Sequence, residues 1–153
     1  MSTVSATLRP APIPRSSELR DDPAMQAFLL MRIAFTVAPI LFGLDKFANV
    51  LTSDWTKYLS SDFNSLLPGN AATGMHIVGI IEIVAGIVVA VAPRFGGYLV
   101  AAWLGGIIVN LLLIGGYGDI ALRDFGLMLA ALSLTRLASA YATPRSRSSV
   151  DMR

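Results

Sequence analysis

Residues 27–47, AFLLMRIAFTVAPILFGLDKF, form an apolar run that decides the fold class of this chain. A helix of about 20 apolar residues is long enough to cross the hydrocarbon core of a bilayer. The run carries Arg32 well inside it and ends at the charged neighbours Asp45 and Lys46. A charge that faces lipid at mid-depth costs about 2.5 kcal/mol or more, so we expect these side chains to turn toward other helices.

The composition of the whole chain supports the same reading. Of its 153 residues, 54% are hydrophobic and only 14% are charged, and the mean hydropathy is +0.64. Soluble domains carry about 25% charged residues. The length predicts one domain. The net charge of +2 does not indicate a nucleic-acid partner, because the basic residues gather near the chain ends. We therefore predict an integral membrane protein whose main partner is the lipid bilayer.

Three further apolar segments follow, at 74–92, 97–115 and 120–140. The links between the last three segments are very short, so consecutive helices must lie antiparallel to one another. The segment at 120–140 is the most polar of the set, and we expect it to cross because its neighbours do. The predicted fold is all-α: a polytopic membrane protein with an antiparallel bundle of four transmembrane helices over residues 25–140 and an external amphipathic loop at 51–73.

The orientation of this bundle follows from its lysines and arginines. Eight of the twelve fall on the side of the chain termini, three fall on the side of the first loop, and Arg32 lies within the membrane. Because basic residues are enriched in cytoplasmic segments, both termini are predicted to be cytosolic. Residues 1–24 then form a disordered cytosolic tail and residues 141–153 a basic cytosolic tail. In the external loop, Trp55, Tyr58 and Phe63 are interpreted as anchors at the membrane surface.

Residue types that are missing narrow the chemistry. The chain has no cysteine, which excludes thiol redox chemistry, disulfides and Cys-ligated zinc or iron–sulfur centres. Its one histidine, His76, cannot form a bis-histidine haem site within one chain. We therefore expect no metal site and no covalently bound cofactor. We assign no catalytic residues and do not expect the isolated chain to be an enzyme.

Polar residues inside the apolar segments follow helical spacing. In the first segment, one stripe at steps of three and four residues holds Arg32, Thr36, Pro39, Gly43 and Lys46. This stripe is predicted to face the bundle.

In the second segment, Gly79, Glu82 and Gly86 share a face, and the two glycines allow close helix approach beside the carboxylate. In the first segment, Gly43 lies one turn before Lys46 and is expected to leave room beside it for the head group of a ligand.

Helical rise places Glu82 near the midplane of the membrane and most other polar residues in the loop-side half. Arg32 and Glu82 are a plausible pair, and Asp45–Arg123 and Lys46–Asp124 would be complementary pairs. Asn110 is interpreted as an interhelical hydrogen-bonding residue. The candidate ligand or proton pocket draws on all four helices: Arg32, Asp45, Lys46, His76, Glu82, Asn110, Arg123 and Asp124. The alternative is that these charges hold the helices in register or meet water at the helix ends.

Two stretches carry a resemblance to a known family: RIAFTVAPILFGLDKF at 32–47 and IVGIIEIVAGIVVAVAPRFGGYLVAAWL at 77–104. Together with the final helix, they resemble the DoxX-like family of small bacterial four-helix membrane proteins, over about residues 28–138. The family pattern has an Arg early in the first helix, a Gly-x-x-Lys near its end, and a Glu followed by glycines in the second. The matching residues here are Arg32, Gly43, Lys46, Glu82 and Gly86.

The resemblance implies a multi-pass protein of the bacterial plasma (inner) membrane that works with redox systems. The function expected from it is an accessory or quinone-contacting subunit of a respiratory or oxidative-stress complex, with other membrane or redox subunits as partners. A quinone could be bound without metal ligation, since its carbonyls need only donors such as Lys, Arg or His beside apolar walls. Two alternatives stay open: a small-molecule or proton carrier that uses Glu82 and the polar pocket, and a purely structural or assembly protein.

Overall fold

The computed structural model describes residues 22–141, which form helices and contain no strand. The predicted tails at 1–21 and 142–153 lie outside the described residues. The all-α prediction is confirmed. Six elements follow in chain order: α1 Pro23–Ala48, a 3-10 turn at Thr56–Tyr58, α2 Ser61–Leu66, α3 Ala71–Val91, α4 Pro93–Ile114 and α5 Gly118–Tyr141.

Helices α1, α3 and α4 are long and apolar enough to cross a membrane, with mean hydropathies of 2.0, 2.3 and 2.1 over their most apolar windows. Large apolar side chains are exposed along all three, among them Leu30, Ile80 and Leu112, as lipid-facing helices require. These features make the chain a membrane protein. Helix α5 is not among the apolar spans found in the described part of the chain, and four charged residues interrupt it: Asp119, Arg123, Asp124 and Arg136.

Capping residues set the ends of the first two long helices. Helix α1 begins at Pro23, two residues before the predicted start, because Asp22 accepts hydrogen bonds from the backbone N–H groups of Ala24 and Met25. It ends at Asn49, whose φ of 52° is left-handed. Helix α3 starts after Asn70, whose side chain accepts from Thr73 N at 3.0 Å.

The short links return the chain along the preceding helix. One residue, Ala92, joins α3 to α4, and residues 115–117 join α4 to α5. One end of the molecule, which we call the tail half, therefore holds the start of α1, the α3–α4 reversal and the end of α5. Its contacts include the ring of Tyr141 stacked on Phe28 at 6.0 Å. The other end, the loop half, holds the end of α1, the 49–70 loop and the α4–α5 link.

Glycines bring the backbones of α1 and α3 into contact. A Cβ placed on Gly43 would lie 2.5 Å from the carbonyl oxygen of Gly79, and one on Gly86 would lie 2.7 Å from that of Thr36. The predicted close approach beside Glu82 is confirmed. The expectation that Gly43 leaves room for a ligand head group is wrong, because α3 fills that space.

The two halves have different interiors. A buried apolar cluster occupies the tail half and extends to mid-depth, with members from all four long helices: Phe28, Phe35, Ala85, Val89, Val100, Ala101, Ala131, Leu134 and Ala138. In the loop half, by contrast, several buried side chains are polar or charged: Asp45, Lys46, Ser60 and Asn110, with Glu82 below them at mid-depth. The candidate functional site lies in this polar half.

Candidate functional site

The centre of the site is an ion pair between α1 and α3. The Lys46 ammonium donates to Glu82 Oε2 at 2.6 Å. Both side chains are nearly inaccessible, at 4% and 11% exposure. The glycine contact between Gly43 and Gly79 lies beside the pair and holds the two helices close enough for it to form. A buried charge of this kind is tolerated because its partner compensates it.

An indole ring covers the lysine. Lys46 Nζ lies 4.2 Å from the centre of the Trp55 ring, within the range of a cation–π interaction. Asp45 holds that ring in place, because Asp45 Oδ2 accepts from Trp55 Nε1 at 2.9 Å. The other oxygen of Asp45 accepts from the backbone N–H groups of Val50 and Leu51, both at 2.9 Å. Asp45 and Lys46, adjacent in sequence, therefore fix the same tryptophan from its edge and its face.

Arg32 is not the partner of Glu82, and the predicted Arg32–Glu82 pair is wrong. Its guanidinium Nη2 donates to the carbonyl oxygen of Ala90, in the last turn of α3. The physical reason is distance along the bundle: Ala90 lies eight residues beyond Glu82 on α3, about 12 Å away at helical rise. Lys46 reaches Glu82 from the opposite end of α1. The stripe that contains both cations does face α3, as predicted.

The other two predicted pairs also do not form. Among the described residues, no carboxylate other than Glu82 lies within 4.0 Å of Lys46, and Arg123 makes no ion pair with Asp45. Arg123 is exposed. Asp45 instead satisfies the loop that follows α1. The two predicted pairs were chosen only by the depth of each charge along its helix. Backbone N–H groups of the loop also need acceptors, and Asp45 supplies them.

Two further groups surround Glu82. The negative charge of Asp124, on α5, acts on the Glu82 carboxylate. The indole N–H of Trp103, on α4, is buried near the same carboxylate and makes no hydrogen bond within residues 22–141. Groups from all four long helices therefore surround Glu82, although the sequence pattern predicts Asp124 as the partner of Lys46 and does not place Trp103 in the site.

A cavity of about 190 Å³ lies above Lys46 at the end of the loop half. Its lining comes from the end of α1, the loop and the first turns of α3: Lys46, Asn49, Ser53, Asp54, Trp55, Thr56, Ala72, Met75 and His76. Two candidate residues, Lys46 and His76, thus meet at one cavity. Asn110, Arg123 and Asp124 are not part of its lining, so the pocket is smaller than predicted and belongs to α1, α3 and the loop.

Asn110 and His76 have their own contacts. The Asn110 amide accepts from Ser60 N at 2.9 Å and donates to the carbonyl oxygen of Tyr58 at 2.6 Å. It therefore fastens the loop to α4 and does not link two long helices as interpreted. The His76 ring stacks on Phe47 with centroids 4.8 Å apart and planes 10° apart. This stacking orients the imidazole at the edge of the cavity.

Asp54 is an exposed anion at the rim of the cavity, outside the long helices. Thr56 donates to it from its hydroxyl at 2.6 Å and from its backbone N–H at 2.8 Å. These hydrogen bonds, together with the nearby charge of Lys57, hold the pKa of Asp54 below its usual range. The lining therefore holds one ammonium and one carboxylate, and its formal charge is balanced.

Sequence reasoning missed the roles of Trp55 and Trp103. Trp55 was interpreted as a surface anchor, yet it is half-buried over Lys46. A sequence signal was present, because Asp45 lies at the end of α1 and precedes Trp55 by ten residues. A short loop can bring the chain back so that the Asp45 carboxylate accepts from the Trp55 indole N–H. Trp103 carries no such signal, since a tryptophan in an apolar helix is ordinarily a packing residue.

Within residues 22–141 no group of three His, Asp or Glu side chains is arranged to hold a metal ion. The chemistry that the site can offer is hydrogen-bond donation, charge compensation and proton exchange between Lys46 and Glu82. Comparisons of the chain with family models, with curated proteins and with solved structures find no match.

Proposed function

We propose that all four long helices cross the bacterial plasma membrane, with both termini in the cytosol. The basic asymmetry of the sequence supports the orientation. Support for a crossing α5 comes from its exposed apolar side chains, which include Leu122, Phe125, Leu129 and Leu132. It also packs along α4. Since α4 is apolar enough to cross the membrane, a position of α5 outside the bilayer would separate two helices that pack together.

The topology can be tested with single cysteines, because the chain has none of its own. Cysteines at positions 15 and 147 should be shielded from an impermeant thiol reagent in intact cells, while one at position 62, which is exposed on α2, should react. Labelling at 15 from outside would reject the orientation. Labelling at 147 but not at 15 would show that α5 does not return to the cytosol.

We further propose that the chain is an accessory, quinone-contacting subunit of a membrane redox complex. One observation carries this function: Lys46, a buried cation, also lines a cavity at the end of the loop half. The family resemblance of Arg32, Gly43, Lys46, Glu82 and Gly86 points to the same class of complex. The site supplies hydrogen-bond donors and apolar walls for a bound head group. The redox centre would belong to a partner subunit.

The chemistry of the lining fits a quinone ring. A quinone head group is a neutral ring with two carbonyl acceptors, and the cavity offers Lys46 and His76 as donors. Trp55 and Met75 provide apolar walls. Because Glu82 already compensates Lys46 and the lining also holds the carboxylate of Asp54, a neutral ligand is favoured over an anion. The volume of about 190 Å³ is below the 300 Å³ or so of a drug-sized pocket, so the cavity accepts a head group and leaves the tail in lipid.

Quinone binding can be measured through Trp55. In a Trp103→Phe background Trp55 is the only tryptophan, and a short-chain benzoquinone should quench its fluorescence in a saturable manner. Lys46→Met should abolish saturable quenching. Lys57→Met is the matched control, since Lys57 also lies over an aromatic ring, that of Tyr58 at 4.9 Å, but does not line the cavity. Quenching that never saturates, or that both variants lose equally, would contradict a quinone site.

A second function is favoured by the depth of Glu82. The carboxylate lies at mid-helix, and Lys46 connects it to the cavity, so a proton could pass between the cavity and the middle of the bundle. Purified protein in vesicles with a trapped pH dye would then carry protons down an imposed gradient, and Glu82→Gln would stop the flow. An inert wild-type protein in both the quinone and proton assays would leave the structural role, with the pair serving only to join α1 and α3.

A further inference from the structure

A second cationic feature lies at the opposite end of the molecule and plays no part in the proposed quinone site. Arg32 is half-buried on the face of α1 that meets α3. One of its nitrogens donates to the carbonyl oxygen of Ala90. A guanidinium has five N–H donors, so this contact leaves most of its hydrogen-bonding capacity unused.

The contact also fixes the depth of the guanidinium. Ala90 is the penultimate residue of α3, and α4 begins two residues after α3 ends. Arg32 therefore reaches the level at which the chain reverses, which is the end of the apolar helix α3 and not its middle. Arg94 lies in the first turn of α4 at the same reversal and is exposed.

Among the described residues, no carboxylate forms an ion pair with either arginine. Within residues 22–141 the ion pair closer than 4.0 Å is Lys46–Glu82, in the other half of the molecule. Exposed apolar side chains flank the arginines at this level: Ile33 on α1, Val91 at the end of α3 and Phe95 on α4. The combination of unpaired guanidinium groups and an apolar surface just below them complements a lipid whose head group is anionic.

We propose that Arg32 and Arg94 bind the phosphate of an anionic phospholipid from the leaflet on the side of the chain termini, with its acyl chains along α1 and α3. Arginine suits this ligand because its planar fork can donate two hydrogen bonds to one phosphate. The lipid would connect the start of α1 to the α3–α4 reversal, two regions that the hydrogen bond from Arg32 to the Ala90 carbonyl oxygen already joins.

Thermal stability of the full chain in detergent tests this site with phosphatidylglycerol and phosphatidylcholine as probes. Phosphatidylglycerol should raise the Tm more than an equal mole fraction of phosphatidylcholine, and Arg94→Gln should remove the difference. Loss of one charge-assisted hydrogen bond should weaken the affinity about tenfold or more. Arg136→Gln is the matched control, because it removes an exposed arginine from α5 and should leave the lipid effect unchanged.

Native mass spectrometry supplies a second readout, in which wild-type protein should retain a bound phosphatidylglycerol that Arg94→Gln and Arg32→Gln lose. If Arg32→Gln does not fold, Arg32→Lys serves instead, since it keeps the charge but not the fork and should bind more weakly. Equal stabilisation by both lipids would overturn the proposal. So would an equal Tm rise with inorganic phosphate, or an equal loss of the lipid effect in Arg136→Gln.

Discussion

The tail half and the loop half of this molecule are built from the same four helices but differ in the side chains that they bury. The tail half packs small and apolar side chains, and Val89, Ala131 and Leu134 are completely buried there. The loop half buries Asp45 and Lys46 at the end of the same α1 helix. In a membrane, lipid is as apolar as leucine, so apolar packing joins helices with little specificity, whereas a buried ion pair fixes which helices meet.

The comparison also shows where a mutation should do most harm. An apolar side chain of the tail half can be replaced by another of similar volume, because the space between its neighbours then stays filled. A charge of the loop half cannot be replaced singly, because its partner then remains buried without compensation. The four predictions below test this contrast, from the largest expected effect to the smallest.

The largest effect is expected at the Lys46–Glu82 pair. Lys46→Met or Glu82→Leu alone should lower the free energy of unfolding by about 3–5 kcal/mol, since each leaves a buried charge unpaired. The double variant should be more stable than either single one. Thermal unfolding in one detergent measures all three. Losses that simply add would show that the pair, 2.6 Å apart in the structure, contributes nothing as a pair.

Two controls sharpen this result. Arg32→Leu combined with Glu82→Leu should give additive losses, because Arg32 contacts the Ala90 carbonyl and not Glu82. Leu134→Met, in the tail half, conserves volume at a fully buried position and should cost less than about 1.5 kcal/mol. A Leu134→Met loss as large as that of Lys46→Met would break the contrast between the halves.

A smaller loss is expected where α1 and α3 touch. Gly43→Ala should cost about 1–3 kcal/mol, because its Cβ would lie 2.5 Å from the Gly79 carbonyl oxygen and the helices must move apart. Gly106→Ala is the matched control on α4, where no atom lies within 4 Å of the added carbon. It should be stabilising by up to about 1 kcal/mol, the difference in helix propensity. Equal effects of the two changes on Tm would rule out a special contact at Gly43.

The next effect concerns the fixation of Trp55 and is expected near 1 kcal/mol, the net contribution of one hydrogen bond. Asp45→Asn keeps an acceptor for Val50 N and Leu51 N but cannot accept from the Trp55 indole through its amide nitrogen. With Trp103 replaced by Phe, the emission of Trp55 should shift to longer wavelength as its ring becomes more exposed. Asp62→Asn, at an exposed position on α2, should leave the spectrum unchanged.

How far the sequence predicts this structure differs between the halves. Helical segments, short links and the face of Glu82 follow from apolar length and 3.6-residue spacing, since these patterns depend on one helix at a time. The partner of Glu82 does not follow, because it depends on how α1 slides along α3. That register is set by the contact between Gly43 and Gly79. A shift of two turns would have been needed to bring Arg32 to the carboxylate.

The loop was the least predictable part for a related reason. Asp45 and Asn110 both hydrogen-bond to loop backbone, between Val50 and Ser60, and Asp45 also accepts from the indole of Trp55. Backbone groups are the same in every residue, so no sequence pattern announces which ones a buried side chain will satisfy. Pairing charges by depth assumed partners of opposite charge, and the loop supplied neutral donors instead.

The smallest effect lies at the exposed edge of the loop half, in the titration of Asp54. Hydrogen bonds from the Thr56 hydroxyl and backbone N–H lower the pKa of this carboxyl in the folded protein. A lowered folded pKa means that the stabilising contribution is present above the unfolded pKa and is lost as the pH falls through the folded value. Thr56→Val removes the hydroxyl donor and should raise the pKa of Asp54 toward its ordinary value, as measured by the carboxyl ¹³C shift. An Asp54 pKa unchanged by Thr56→Val would show that the backbone N–H alone holds the charge.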